Sequence, residues 1–149
     1  MATIDELRRR LDAYDDEKAI VAAMYRYGDA LDHDNRDEFL ACFTPDARYD
    51  VIMRFEPANS FAFTGHAELT QYFKGHTHRP NAFHKHVTTN PLVTVHGDTA
   101  DAQSYFLRVD SLSPGNATVL AAGRYVDKFV RSDDGTWKIK TRRCEVENL

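Results

Sequence analysis

Two periodicities divide the chain. Up to about residue 43, apolar side chains recur every three or four positions. From residue 47 onward, alternating or β-branched and aromatic runs are separated by turns. Ile4, Leu7 and Leu11 share one helical face, and Thr3 with Glu6 makes a capping-box pattern, predicting a short helix over residues 3–14. Asp15 or Asp16 then caps a longer helix to about Leu31, with Ile20, Met24, Tyr27 and Leu31 at offsets 0, 4, 7 and 11. Its small residues Ala19, Ala22, Ala23 and Ala30 allow close packing. His33-Asp34-Asn35 breaks it, residues 37–42 add a helical turn ending at Phe43, and Thr44-Pro45-Asp46 turns the chain.

Residues 47–55 then read as a strand with Tyr49, Val51 and Met53 on one face, and residues 61–64 as a short partner. A helix over 67–74 carries Leu69, Tyr72 and Phe73, and 75–81 is a loop. Strands are expected at 84–95, 100–111, 119–132 and 137–145. Turns at His96-Gly97-Asp98, Ser113-Pro114-Gly115-Asn116 and Asp133-Asp134-Gly135 separate them. Helices followed by consecutive strands mean α+β: a curved, mainly antiparallel sheet around the N-terminal helices, because a parallel sheet needs a helix between successive strands. Apolar residues on both faces of the late strands suggest cover on both sides.

Composition narrows the function. At 149 residues, 42% hydrophobic and 28% charged, the chain reads as a single domain over 1–149, with 1–14 a helical extension. A net charge of -4 argues against a nucleic-acid surface. No apolar run approaches the roughly 20 residues of a membrane span, and the charged N-terminus lacks a signal-peptide core, so a cytoplasmic protein is expected. Cys42 and Cys144 show no metal spacing and read as reduced thiols. Glycine-rich phosphate loops and GxSxG elbows are absent from the sequence. What stands out is seven Tyr, nine Phe and one Trp beside seven His, more rings than a small core requires.

A set of short motifs falls in a familiar order: Ile20 through Tyr27 to Leu31-Asp32, Phe39, and Phe43-Thr44-Pro45-Asp46-Ala47. Gly65 before a helix follows, then His86 four residues before Asn90-Pro91, and Val95-His96-Gly97-Asp98-Thr99-Ala100. Gly123-Arg124-Tyr125 and Asp134-Gly135-Thr136-Trp137-Lys138-Ile139 close the set. In this order and spacing the chain resembles the SnoaL-like branch of the nuclear transport factor 2-like superfamily, over residues 15–145. Within it, the chain is most similar to the scytalone dehydratase, bile acid 7α-dehydratase and hexachlorocyclohexane dehydrochlorinase types. The resemblance implies a cone-shaped sheet closed by helices around a deep apolar pocket. It also implies a pocket histidine oriented by a helix aspartate, with no metal and no organic cofactor, and dimers or trimers formed through the exposed sheet face.

Carried onto this sequence, the resemblance assigns the dyad to Asp32 and His86, with Tyr27 polarising a substrate oxygen. An imidazole, with a pKa of about 6.5, suits proton abstraction near neutrality, and a carboxylate on its far nitrogen fixes the tautomer. From the residues alone, Asp32 also fits a solvated carboxylate at a helix end, His86 a structural histidine, and Tyr27 a core residue. Tyr49, Asn90, Tyr105 and Tyr125 are candidate substrate-binding residues, although alternation does not say which strand face points inward. His84 shares a strand face with His86, and His76 and His78 form a second such pair. Metal is weighed there and set aside, since the second pair reads as loop and no acid sits at a supporting spacing. Only His86 of the seven histidines is read as catalytic. Arg142 and Arg143 point to opposite faces, so at most one reaches the pocket. Phe55, Phe61, Phe63, Phe83 and Leu107 are expected to set its size, with Phe39 and Phe43 beneath the helices and Trp137 anchoring the last hairpin.

These readings converge on a cofactor-independent lyase, a dehydratase or dehydrohalogenase, acting on a small hydrophobic cyclic or polyketide-like molecule. The alternatives are an isomerase, cyclase or epoxide hydrolase on the same cone, with Asp101, Asp110 or Asp127 as the acid of a cyclase, and a non-catalytic binding or oligomerisation module. The small subunit of ring-hydroxylating dioxygenases exemplifies the last. The expected partners are a small hydrophobic substrate and further copies of the chain, with no nucleic acid and no membrane.

Overall fold

The computed structural model describes residues 1–76, 83–113 and 115–148. Most of the loop expected over 75–81, with His78, lies outside them, as does Pro114. The elements in chain order are helices α1 (Ile4–Asp32) and α2 (Arg36–Ala41), strand β1 (Phe43–Met53), a 3-10 turn (Pro57–Asn59) and strand β2 (Phe61–Thr64). Helix α3 (Gly65–Gly75) follows, then strands β3 (Phe83–His96), β4 (Thr99–Ser113), β5 (Asn116–Arg131) and β6 (Trp137–Val146).

The capping box at Thr3 and Glu6 is formed, but the two expected N-terminal helices are one continuous helix of 29 residues. Tyr14 to Lys18 contain no glycine or proline to interrupt it. Asp16 does not cap a new helix, because its carboxylate is taken by Arg131 at 2.7 and 2.8 Å and by the Trp137 indole N–H at 3.1 Å. Ile4, Leu7 and Leu11 consequently face solvent, whereas Ile20, Met24, Tyr27 and Leu31 are fully buried. Trp137 thus anchors the last hairpin to α1.

The six strands form one sheet in the order β2-β1-β6-β5-β4-β3, antiparallel except where β1 runs parallel to β6. Thr44-Pro45-Asp46 lies inside β1, where the register shifts between Phe43 and Arg48, rather than in a turn that precedes it. Helix α1 packs across β3 and β6, and the inner face of the sheet carries the buried set: Tyr49 and Val51, Ala102 and Phe106, Tyr125 and Phe129, Ile139 and Cys144. The outer face leaves Val87, Leu92, Tyr105 and Leu107 exposed, so the expected cover on both sides is not supplied by the described residues. Among the described residues, no helix is long and apolar enough to cross a membrane.

Candidate active site

The site forms where the C-terminus of α1 meets the start of β3. Asp32 ends α1 and is 6% exposed, which rules out a solvated carboxylate. Its oxygens accept the His86 backbone N–H at 2.9 and 3.2 Å, and one oxygen lies 2.7 Å from His86 Nδ1. Burial alone would raise the Asp32 carboxyl, but the ring and backbone hydrogen bonds from His86 outweigh it and hold the pKa below the usual value. An ionised Asp32 facing Nδ1 fixes the neutral ring with its proton on Nδ1 and its lone pair on Nε2.

The site holds more histidine than the sequence suggested. His84, two residues earlier on the same face, is buried with Nε2 3.5 Å from Asp32, and burial pushes its pKa down. His76 is not a solvated loop residue. It ends α3 with its ring centroid 4.9 Å from His84 and 5.3 Å from His86. Asp32 supplies through space the acid that linear spacing lacked, so Asp32, His84 and His86 could together hold a metal ion. The local signal was the paired parity of residues 84 and 86; the arrival of His76 depends on how α3 docks.

Beside the dyad lies a cavity of about 300 Å³ with mainly apolar walls. Tyr49, Tyr72, Phe106 and Tyr125 supply aromatic surface, while His86, His76 and Arg108 supply polar atoms. Tyr27 stands one layer behind this wall. Its hydroxyl is 2.9 Å from that of Tyr49 and 3.4 Å from that of Tyr72. Burial raises all three phenols, keeping them protonated donors. Sequence reasoning missed Tyr72, whose position in the α3 apolar stripe marked it only as core. Of the five side chains expected to set the pocket size, only Phe61 lines it. Phe63 packs against Tyr72 at 5.3 Å, and Phe55, Phe83 and Leu107 are exposed.

Two candidates belong elsewhere. Tyr105 is exposed on the outer face because its neighbours Ser104 and Phe106 take the inward positions. Asn90 is exposed too, in a left-handed conformation (φ 53°) within the irregularity between Thr89 and Leu92. Both line a separate outer cleft with Arg124. Arg142 points inward as neither pocket ligand nor surface residue. It is fully buried, paired with Asp127 at 2.7 and 2.8 Å, and clamped between the Tyr27 and Tyr125 rings at 4.2 Å each. Arg143 faces outward toward Glu145. The acids of the cyclase alternative are likewise committed: Asp127 to Arg142, Asp110 to Arg108, and Asp101 to Lys128 on the exposed face.

The chain belongs to the SnoaL-like domain family, whose model matches residues 12–143. It is similar to an NTF2-like protein with a cystatin-like fold from Novosphingobium aromaticivorans, at 23% identity and TM-score 0.85, covering 99% of this chain and 92% of that one. It also resembles a protein from the same organism provisionally named the beta subunit of an aromatic-ring-hydroxylating dioxygenase, at 26% identity and TM-score 0.78, covering 92% of both chains. A third neighbour, provisionally named a scytalone dehydratase and again from that organism, aligns at 22% identity and TM-score 0.75, covering 91% and 86%. No curated protein matches the chain by sequence. The cone fold expected from the motifs is therefore the fold of this chain.

Proposed function

We propose that the protein is a lyase of the dehydratase or dehydrohalogenase type, with His86 as general base and Asp32 as the residue that orients it. The observation that carries this reading is the buried Asp32–His86 contact of 2.7 Å at the wall of an aromatic cavity. His86 Nε2 takes a proton from a carbon acidified by a neighbouring carbonyl or ring. The electrons of that C–H bond form the double bond as the bond to the leaving group breaks. A departing halide leaves as the anion. A departing hydroxide takes the proton back from His86 and leaves as water. The Tyr49 and Tyr72 hydroxyls, backed by Tyr27, would donate to the substrate oxygen on which charge accumulates. A cavity of about 300 Å³ fits a small molecule of one or two rings. Support for the reaction class also comes from the fold shared with the provisionally named scytalone dehydratase. The apolar outer patch of Val87, Leu92, Tyr105 and Leu107 supports a homo-oligomer. Turnover of a panel of β-hydroxy and β-halo cyclic ketones, followed as appearance of the conjugated product, tests the reading. Elimination that survives His86→Ala at the wild-type rate would overturn it.

The likeness to the provisionally named dioxygenase beta subunit supports a second reading, a non-catalytic subunit seated on a larger partner by its outer face. That reading predicts no elimination activity and a stable complex with a larger partner chain.

A further inference from the structure

We propose that Asp32, His84 and His86 form a binding site for a divalent transition-metal ion of the zinc type. The site itself goes beyond the lyase reading and does not rest on it. His84 motivates it. Its side chain is 1% exposed, and neither ring nitrogen has a hydrogen-bond partner among the described residues. Buried polar atoms are nearly always paired, and an unpaired one costs its full desolvation. The dyad leaves this cost unexplained, since the Asp32 hydrogen bonds go to His86.

The geometry suits an ion. A single Asp32 oxygen lies 2.7 Å from His86 Nδ1 and 3.5 Å from His84 Nε2. One donor atom from each of the three residues lies within 4.8 Å of the others. Ligands about 2.0–2.1 Å from a tetrahedral zinc stand about 3.3 Å from one another. The two shorter separations bracket that value, so small side-chain adjustments would seat an ion between the donors.

Donor chemistry selects the ion class. Two imidazoles and one carboxylate suit zinc, cobalt, nickel or iron(II), whereas magnesium and calcium prefer oxygen throughout. The His86 backbone N–H to Asp32 is the outer-shell hydrogen bond that orients a carboxylate ligand. The His76 ring faces the same space. Arg108 Nη1, 3.4 Å from His76 Nε2, brings positive charge near, but two hydrogen bonds of 2.8 Å to Asp110 balance it.

A metal and the dyad proton compete for one atom. With an ion on Nδ1, the neutral His86 ring carries its proton on Nε2 and offers no lone pair to a substrate C–H. Loading the site would therefore inhibit elimination, a consequence that does rest on the lyase reading.

Cobalt(II) titrated into the metal-stripped full chain tests the site through its visible d–d absorption. The expected result is one Co²⁺ per chain with a low-symmetry spectrum, displaced by Zn²⁺. His84→Ala and Asp32→Asn should each weaken binding about a hundredfold or more. His33→Ala and His96→Ala, at exposed histidines outside the cluster, should leave it unchanged. If His84→Ala does not fold, His84→Gln carries the same comparison. Absence of stoichiometric binding, or binding unaltered by His84→Gln and Asp32→Asn, would overturn the site. Tight Zn²⁺ binding that leaves elimination untouched would keep the site and overturn the assignment of His86 as base.

Discussion

Gly28 passes so close to His86 that a Cβ there would sit 3.2 Å from His86 Cβ and 3.3 Å from its carbonyl oxygen. One turn later the same helix presents Asp32 to the same histidine. The missing side chain is what lets α1 approach β3 closely enough for a 2.7 Å contact. Gly28→Ala should move the two apart by a few tenths of an ångström. Alanine favours the helix by about 1 kcal/mol, which offsets the strain. Urea unfolding should therefore shift by no more than about 1 kcal/mol, while kcat falls about tenfold through misplacement of the dyad.

The Tyr27–Tyr49 hydroxyl contact of 2.9 Å links the cavity wall to the layer behind it. Tyr49→Phe keeps the ring packing and removes one hydroxyl. It should cost about 1 kcal/mol of stability and about tenfold in kcat, with KM little changed if the hydroxyl acts on developing charge. A rise in KM alone would assign it to ground-state binding instead.

Arg142 and Asp127 form a fully buried pair whose members cannot be removed singly without leaving a charge in the core. Arg142→Met should destabilise the protein by about 3–5 kcal/mol. Adding Asp127→Leu should recover part of that loss, because the orphaned carboxylate is then gone. Chemical unfolding of the single and double variants measures both effects.

Acid should weaken the fold through Glu145. Burial alone would raise this carboxyl, but hydrogen bonds from Arg54 and Arg124 bring it from an ordinary 4.5 to about 2. A depressed folded pKa stabilises the protein fully above pH 4.5 and is progressively lost as pH falls toward 2. Stability should decline across that window, and Glu145→Gln should flatten the decline.

The positions of the strands along the chain were readable because turns such as Asp134-Gly135 and Gly97-Asp98 separate apolar runs of strand length, and each expected strand matched an observed one to within a few residues. The helix boundary near Asp16 was misread for a physical reason. Its carboxylate resembles a local cap, while its partner Arg131 stands 115 positions away. Asp32 and His86 were found through the motif order, and α1 and β3 do bring them together. Tyr105 was placed inward wrongly because alternation defines two faces without saying which is concave. The clue was polarity: Asp101 and Gln103 share the face of Tyr105, whereas Ala100 and Ala102 share the buried face with Phe106. The Arg142–Asp127 pair was not legible, since counting outward from the last hairpin sets Asp127 opposite Thr141, and the register shift between Lys128 and Phe129 is what brings it to Arg142. His76 carried no signal either, because its position depends on where α3 ends against β3.

Nitrogen-15 NMR of the His86 ring tests the central claim most directly and needs no substrate. In the neutral ring of the metal-free protein, the proton is expected on Nδ1, held by Asp32, with a bare Nε2. Asp32→Asn should shift that balance toward the other tautomer. A proton on Nε2 in the wild-type protein would contradict the assignment of His86 as the base.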